Sequence, residues 1–240
     1  MTDFSSILQR RHSTRDFLDT PLDSNTLDAI LDEAMQSPSW SNTQPYRLAV
    51  ATGDTRDALA AELKANYLEI STLQRAPKWR QALAYLTNKN MPSNDYKQAL
   101  TYPAELQERR LVTAKGLYGL LGIERHDTAK RDQQMARNFE FFGAPTAIFF
   151  FTHKGLGVYS VLDAGILLQS IMLAAEARGV ASCAQGALAL WRKPLESYFD
   201  IPKEYKLLCG LSLGYASDAP VNEYRPGRLN KDSLLLKAKQ

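Results

Sequence analysis

Residues 159–178 are apolar on every side. Val161, Leu162, Ile166, Leu167, Leu168, Ile171, Met172, Leu173, Ala174 and Ala175 leave no broad polar face. A surface helix carries one apolar stripe, so a helix apolar all round has to be buried, either centrally in the fold or in a subunit interface. Gln169, Ser170 and Glu176 interrupt the stretch over residues 164–178, which leaves it short of the roughly 20 residues of a membrane span. Gly179 ends it. Just upstream, residues 146–152 (Thr-Ala-Ile-Phe-Phe-Phe-Thr) form a near-continuous apolar run of strand length. That is the pattern of a strand covered on both faces. The whole reads as mixed α+β, with helices around a few-stranded sheet.

The other elements follow from spacing. Residues 3–11 suit a short helix. In residues 22–36, Leu27, Ile30, Leu31 and Ala34 fall at i, i+3, i+4 and i+7, and Asp23 or Ser24 can cap the start. Ser37-Pro38 stops that helix, because the residue before proline avoids the α region. Residues 46–52 read as a strand. Gly53-Asp54 then turns the chain, with Asp54 a candidate cap for a helix to about residue 65. Helices are expected over 105–121, 127–142 and 193–199, and strands over 180–185 and 205–213. Residues 67–103 scatter Trp79, Tyr85, Tyr96 and Tyr102 among prolines and polar residues. A long, weakly periodic insertion of this kind forms a lid or a partner-wrapping segment; an ordinary surface excursion is the alternative.

The 240 residues suit one large domain or two small ones, and the reading is one domain over residues 1–240. The 45% hydrophobic content can fill a sizeable core. A formal net charge of +3, from scattered Lys and Arg, is too small to argue for nucleic acid. Cys183 and Cys209 are few for a disulfide-stapled secreted protein and sit in apolar surroundings, so buried thiols in a reducing compartment are expected. Met1-Thr2-Asp3-Phe4 has no basic region before an apolar run, so no signal peptide is expected. These points together predict a soluble cytoplasmic protein that does not enter a membrane.

Three polar stretches carry the chemistry. Arg10-Arg11-His12-Ser13-Thr14-Arg15 puts guanidinium forks, a ring and hydroxyls into one short run. Charge plus pre-set donors is what a phosphate monoester needs. Alone, the run reads equally well as a solvated basic turn. Ser37-Pro38-Ser39-Trp40-Ser41-Asn42-Thr43-Gln44-Pro45 is the second stretch, and Tyr224-Arg225-Pro226-Gly227-Arg228 the third. Together they read as parts of one phosphate-and-ring site. His12 has no metal partner, since His126 and His153 bring no second ligand at suitable spacing.

The first two stretches resemble the N-terminal signatures of the FMN-dependent nitroreductase family. Phe142-Gly143-Ala144-Pro145 before the apolar strand, Asp163 to Cys183-Ala184-Gln185-Gly186, and Gly214-Tyr215 leading to Arg225 and Arg228 are similar to later landmarks of that family. Tyr102-Pro103, Arg109-Arg110 and residues 117–123 further resemble a branch of nitroaromatic and nitrobenzoate-type reductases. The resemblance implies an α+β nitroreductase-like fold, with a central, mainly antiparallel sheet flanked by helices and an insertion around residues 67–125. It implies an obligate homodimer with FMN at the subunit interface. It also implies a ping-pong cycle, in which NADH or NADPH reduces the flavin and leaves before a nitroaromatic, nitrobenzoate-like or quinone acceptor enters. Another flavin-dependent reduction, such as reductive dehalogenation, and a non-catalytic FMN-binding module are the alternatives.

Site roles come from the same resemblance. Arg11, Ser13 and Arg228 would hold the phosphate, Arg15 the ring or ribityl side, with Arg225 nearby and His12 contributing mostly main chain. Pro38, Ser39, Trp40 and Asn42 would come from the other subunit; Trp40 would wall the pocket or fill core, and Gln44 would brace the loop or touch the ring. Ala184, Gln185 and Gly186 would lie beside flavin N5, where a main-chain N–H can stabilise changing charge. Cys183 is read as packing. No residue is expected to act as nucleophile or general base, because the cofactor carries the hard chemistry.

Overall fold

The computed structural model describes residues 3–87, 90–97 and 101–238. Met1 and Thr2, part of the leader argument, and residues 88–89 and 98–100 of the insertion lie outside the described residues.

Strands β1 (Tyr46–Thr52), β2 (Thr146–His153), β3 (Ala181–Gln185) and β4 (Tyr205–Gly214) form one sheet in the order β1-β2-β4-β3, with every pairing antiparallel. The doubly buried reading of β2 holds. Successive strand residues point to opposite faces. Ala147, Phe149 and Phe151 enter one core, and Ile148 and Phe150 the other. On the first face, α3 (Gly53–Leu73) supplies Leu59 and Leu63, alongside Phe139, Phe141 and Trp191. On the second, α2 (Ser24–Ala34) and α7 (Val158–Ala177) supply Ile30, Ala34, Leu167 and Ile171. Asp23 caps α2, its carboxylate accepting from Thr26 N at 2.9 Å. Helix α1 (Phe4–Arg10) packs on α7.

Helix α7 corrects one expectation. Its 20 residues, at mean hydropathy 1.6, are long and apolar enough to cross a membrane by length and composition. Two of the polar residues that seemed to shorten it, Ser170 and Glu176, instead tie it to neighbouring segments. Ser37 Oγ donates to Ser170 Oγ at 2.7 Å, and Arg10 pairs with Glu176 at 3.0 Å. Ala164, Leu167, Ile171 and Ala175 are fully buried against α2 and the sheet. The helix is a core element along its inner face, and Gly179 ends it at φ +71°.

Other boundaries moved for packing reasons. α3 runs on to Leu73 rather than stopping near residue 65, with Asp54 in its first turn and Thr52 at its N-cap. The helix expected over 127–142 is α6 (Thr128–Ala136), followed by a turn in which Phe141 and Phe142 both have φ +56°. A helix advances about 100° per residue, so a continuing one would splay Phe139, Phe141 and Phe142 around its axis. The turn buries all of them. The segment expected as a helix over 193–199 is a short 3-10 turn, Lys193–Ser197.

The insertion contains α4 (Lys78–Thr87) and α5 (Ala104–Leu120). Between them the described residues 90–97 are strapped to the core rather than lifted off it. Trp191 Nε1 donates to Asn90 O at 2.8 Å, and Ser93 N to Leu190 O at 2.9 Å. Asp95 pairs with Arg192 at 2.9 Å and accepts from Leu207 N at 2.6 Å. The Tyr96 hydroxyl meets Thr152 Oγ1 at 2.7 Å.

Candidate functional site

The chain leaves α1 at Arg11 in extended conformation and runs along the outer edge of β3. Thr14 N donates to Ser182 O at 3.0 Å, and Ser13 forms a parallel bridge to Ser182. Extended backbone alternates its side chains. Thr14 points inward and is fully buried, while Arg11, Ser13 and Arg15 line one side of a cleft. The C-terminal limb forms the other side with Arg225 and Arg228. This cleft has a volume of about 440 Å³, and His12 also lines it.

Asn222 locks the two limbs together. Its Oδ1 accepts from Arg15 N at 2.8 Å, and its Nδ2 donates to Asp16 O at 2.7 Å and Ser217 O at 3.0 Å. Sequence reasoning missed this residue. Its signal was an amide, both donor and acceptor, three positions before Arg225 in a turn-forming segment.

The electrostatics set this cleft apart. Among the described residues, Arg11, Arg15, Arg225 and Arg228 have no carboxylate partner. Arg15 donates to Ser13 O, Arg225 to Asn222 O and Arg228 to Pro226 O, all main-chain carbonyls. His12 Nδ1 meets Arg10 O at 2.8 Å, while its Nε2 is buried without a partner, as is Thr14 Oγ1. Arg10 is not part of the cleft, being spent on Glu176 and Ser6. A larger groove of about 840 Å³ beside α3 lacks this signature, because its Arg56, Lys64 and Arg137 each pair with an acid. Guanidiniums left without a carboxylate call for an anion with several acceptor oxygens.

Beyond Ser182, β3 leads toward Gln185, roughly 10 Å along the strand. The Gln185 side chain is committed: Nε2 donates to Asn138 O at 2.8 Å, and Oε1 accepts from Ser212 Oγ at 2.5 Å. Only its main chain and that of Gly186 remain to meet a ligand. Ala184 is exposed, and a Cβ at Gly186 would meet nothing within 4 Å, so the space above this turn is open. Burial pushes the Cys183 thiol up to about 11, with nearby Arg15 and Arg11 offsetting it only in part. The thiol is neutral near pH 7 and serves packing.

The second stretch lies elsewhere. Pro38, Ser39, Trp40, Asn42 and Gln44 do not line the basic cleft; they form a largely exposed loop between α2 and β1. Ser41, Asn42 and Gln44 adopt φ of +48°, +55° and +46°, an uncommon region for residues with side chains. Asp163 of α7, only 3% exposed, holds this turn by accepting from Trp40 N at 3.1 and 3.2 Å. Ser39 Oγ accepts from Gln44 N at 3.0 Å, and Gln44 Nε2 donates to Asn42 Oδ1 at 3.2 Å, so Gln44 braces the loop. Trp40 stays 49% exposed and meets Tyr159 edge-on, neither core nor wall of this chain's own cleft. Arg109 pairs with Glu105 and Arg110 lies over Tyr102, and neither arginine lines the cleft.

Known proteins are similar to this chain in sequence and in fold. The family model described as "Nitroreductase family" matches residues 8–215. A 4-nitrobenzoate reductase of Pseudomonas putida is 33% identical over 227 residues, covering 94% of this chain and 91% of that protein. The crystal structure of the FMN and NADPH-dependent nitroreductase NfnB from Sphigopyxis sp. strain HMH superposes with a TM-score of 0.82 at 29% identity, over 100% of both chains. The FMN-dependent nitroreductase NfnB from Mycobacterium smegmatis, solved in complex with NADPH, gives 0.82 at 28% identity, over 99% of this chain and 100% of that one. With a family model spanning most of its length and a relative this similar along nearly all of it, the chain belongs to the nitroreductase family.

Proposed function

We propose that this chain is an FMN-dependent oxidoreductase that uses NAD(P)H to reduce nitroaromatic acceptors. Nitrobenzoate-like acids and quinones belong to its acceptor range, and reductant and acceptor occupy one pocket in turn. The observation that carries this is the convergence of Arg11, Arg15, Arg225 and Arg228, free of carboxylates, on an edge of the sheet that leads to the open turn at Gly186. The relatives named above are described as nitroreductases, which agrees with it.

When bound, FMN supplies the redox chemistry, accepting a hydride from NAD(P)H and passing electrons to the acceptor. The protein's part is position and field. Arg11, Arg228 and Ser13 hold the phosphate, with Arg225 adding a donor and His12 contributing mostly main chain; Arg15 faces the polyol or ring. The main chain at Ala184–Gly186 presents its N–H groups along the ring edge, where preorganised donors stabilise developing charge at little reorganisation cost. No side chain is assigned as nucleophile or base.

The same reading makes the working unit a homodimer. The outer face of α7 presents Val158, Tyr159 and Leu162, the last 58% exposed, beside Trp40. A helix apolar all round with one face uncovered needs a partner surface. That partner brings residues 38–44 to the other subunit's flavin, which explains why Pro38, Ser39, Trp40 and Asn42 stand clear of their own cleft. Equilibrium sedimentation should give twice the 26.9 kDa chain mass. Leu162→Glu should shift the protein toward monomer and release flavin together. A wild-type monomer that retains FMN tightly would contradict the shared site.

The reading itself is tested by absorbance. Purified protein should show flavin bands that bleach when NADH or NADPH is added without oxygen, and 4-nitrobenzoate should restore them. A colourless protein that takes up no added FMN would overturn the cofactor assignment.

A further inference from the structure

Glycine weakens a helix interior relative to alanine, so a glycine kept there calls for a local reason. Helix α5 carries Gly116 and Gly119. A Cβ at Gly119 would meet nothing within 4 Å. At Gly116 it would stand 2.5 Å from Tyr224 Cε2 and 2.8 Å from its hydroxyl oxygen. Tyr224 follows the turn Pro220–Glu223 and lines the basic cleft immediately before Arg225. The Arg225 guanidinium donates to Asn222 O at 2.6 Å and to Tyr224 O at 3.2 Å, so the Tyr224 main chain helps set where that cation sits. α5 also packs on that turn, and none of its residues is buried in the core.

We propose that Gly116 and Tyr224 are a positioning pair, through which α5 of the insertion seats the C-terminal limb of the cleft and places Arg225 and Arg228. The inference rests on the reading of that cleft as the FMN phosphate seat. It gives the insertion a role in cofactor retention: a side chain at Gly116 turns the Tyr224 ring out of its seat on α5, and the limb that carries the cations loses that anchor. In the other direction, filling the cleft orders Tyr224 and protects α5.

The test uses the full-length protein, stripped of flavin and titrated with FMN. Gly116→Ala should weaken FMN binding about tenfold. Gly119→Ala, the matched control in the same helix, should keep wild-type affinity and raise the thermal midpoint. Tyr224→Ala should itself weaken binding, and adding Gly116→Ala to it should cost nothing further, because coupled residues are non-additive. Hydrogen exchange around Gly116 should slow when wild type binds FMN. If Gly116→Ala binds FMN as wild type does, or if the two substitutions add independently, the pair is refuted while the cleft assignment stands. Wild-type protein that fails to bind FMN at all would remove the cleft assignment and, with it, this role for the pair.

Discussion

Arg11→Ala is expected to weaken FMN binding by about 10- to 100-fold, corresponding to the ~1.5–3 kcal/mol of a hydrogen bond to a charged group. The expectation is sharp because the Arg11 side chain does no work in the fold. Its guanidinium has no ion pair and no hydrogen bond among the described residues, and its only bond is main-chain, Arg11 N to Ile7 O at 3.0 Å. The flavin-free variant should therefore unfold within about 0.5 kcal/mol of wild type, as surface substitutions usually do. Arg11→Lys should fall between the two, since an ammonium keeps the charge but loses the planar fork that matches phosphate geometry. Ser13→Ala, which removes a single hydroxyl, should lose less. Titration of flavin fluorescence checks all three. Unchanged affinity in Arg11→Ala would mean that the phosphate lies elsewhere.

The second large effect is on stability. Phe150→Ala should destabilise the protein by about 3–5 kcal/mol, the range for a buried aromatic truncated to alanine. Phe150 is fully buried, pairs across the sheet with Leu48 and Cys209, and joins the core formed with Leu167 and Ile171. The surrounding α7 and α2 are held to each other by the Ser37–Ser170 hydrogen bond and the Arg178–Glu33 pair, so the cavity cannot close cheaply. Domains of this size have only about 5–15 kcal/mol in total, so the midpoint of urea unfolding should drop visibly at unchanged slope. A loss below about 1 kcal/mol would show that β2 is not packed tightly on both faces.

Much of the fold was legible because it rests on local periodicity. The apolar run of β2, the i, i+3, i+4, i+7 pattern of α2 and the all-round apolarity of α7 each follow from one physical rule, and each formed close to the expected bounds. What failed was length wherever tertiary contacts decide it. α6 ends at Ala136 because three phenylalanines are needed in the core. The segment expected as a lid is partly a strap, because Ser93 and Asp95 satisfy main-chain groups of residues about a hundred positions away.

The candidate site divides in the same way. Sequence by itself determined the chemistry on offer: guanidiniums and a hydroxyl at Arg11, Ser13, Arg15, Arg225 and Arg228, a glycine, Gly186, that permits close backbone approach, and a polar loop at residues 38–44. Those are properties of residue type, and residue type is what a sequence states. Tertiary structure alone decided which of them act together. Chain reversal brings Arg225 within reach of Arg15 through Asn222, across more than two hundred residues. Asp163 had no visible task until folding set its carboxylate under Trp40 N. Gly116 had none until α5 met Tyr224. Which cations are left unpaired, and so available to an anion, depends on where every carboxylate ends up. That is a property of the packed chain and of no single stretch within it.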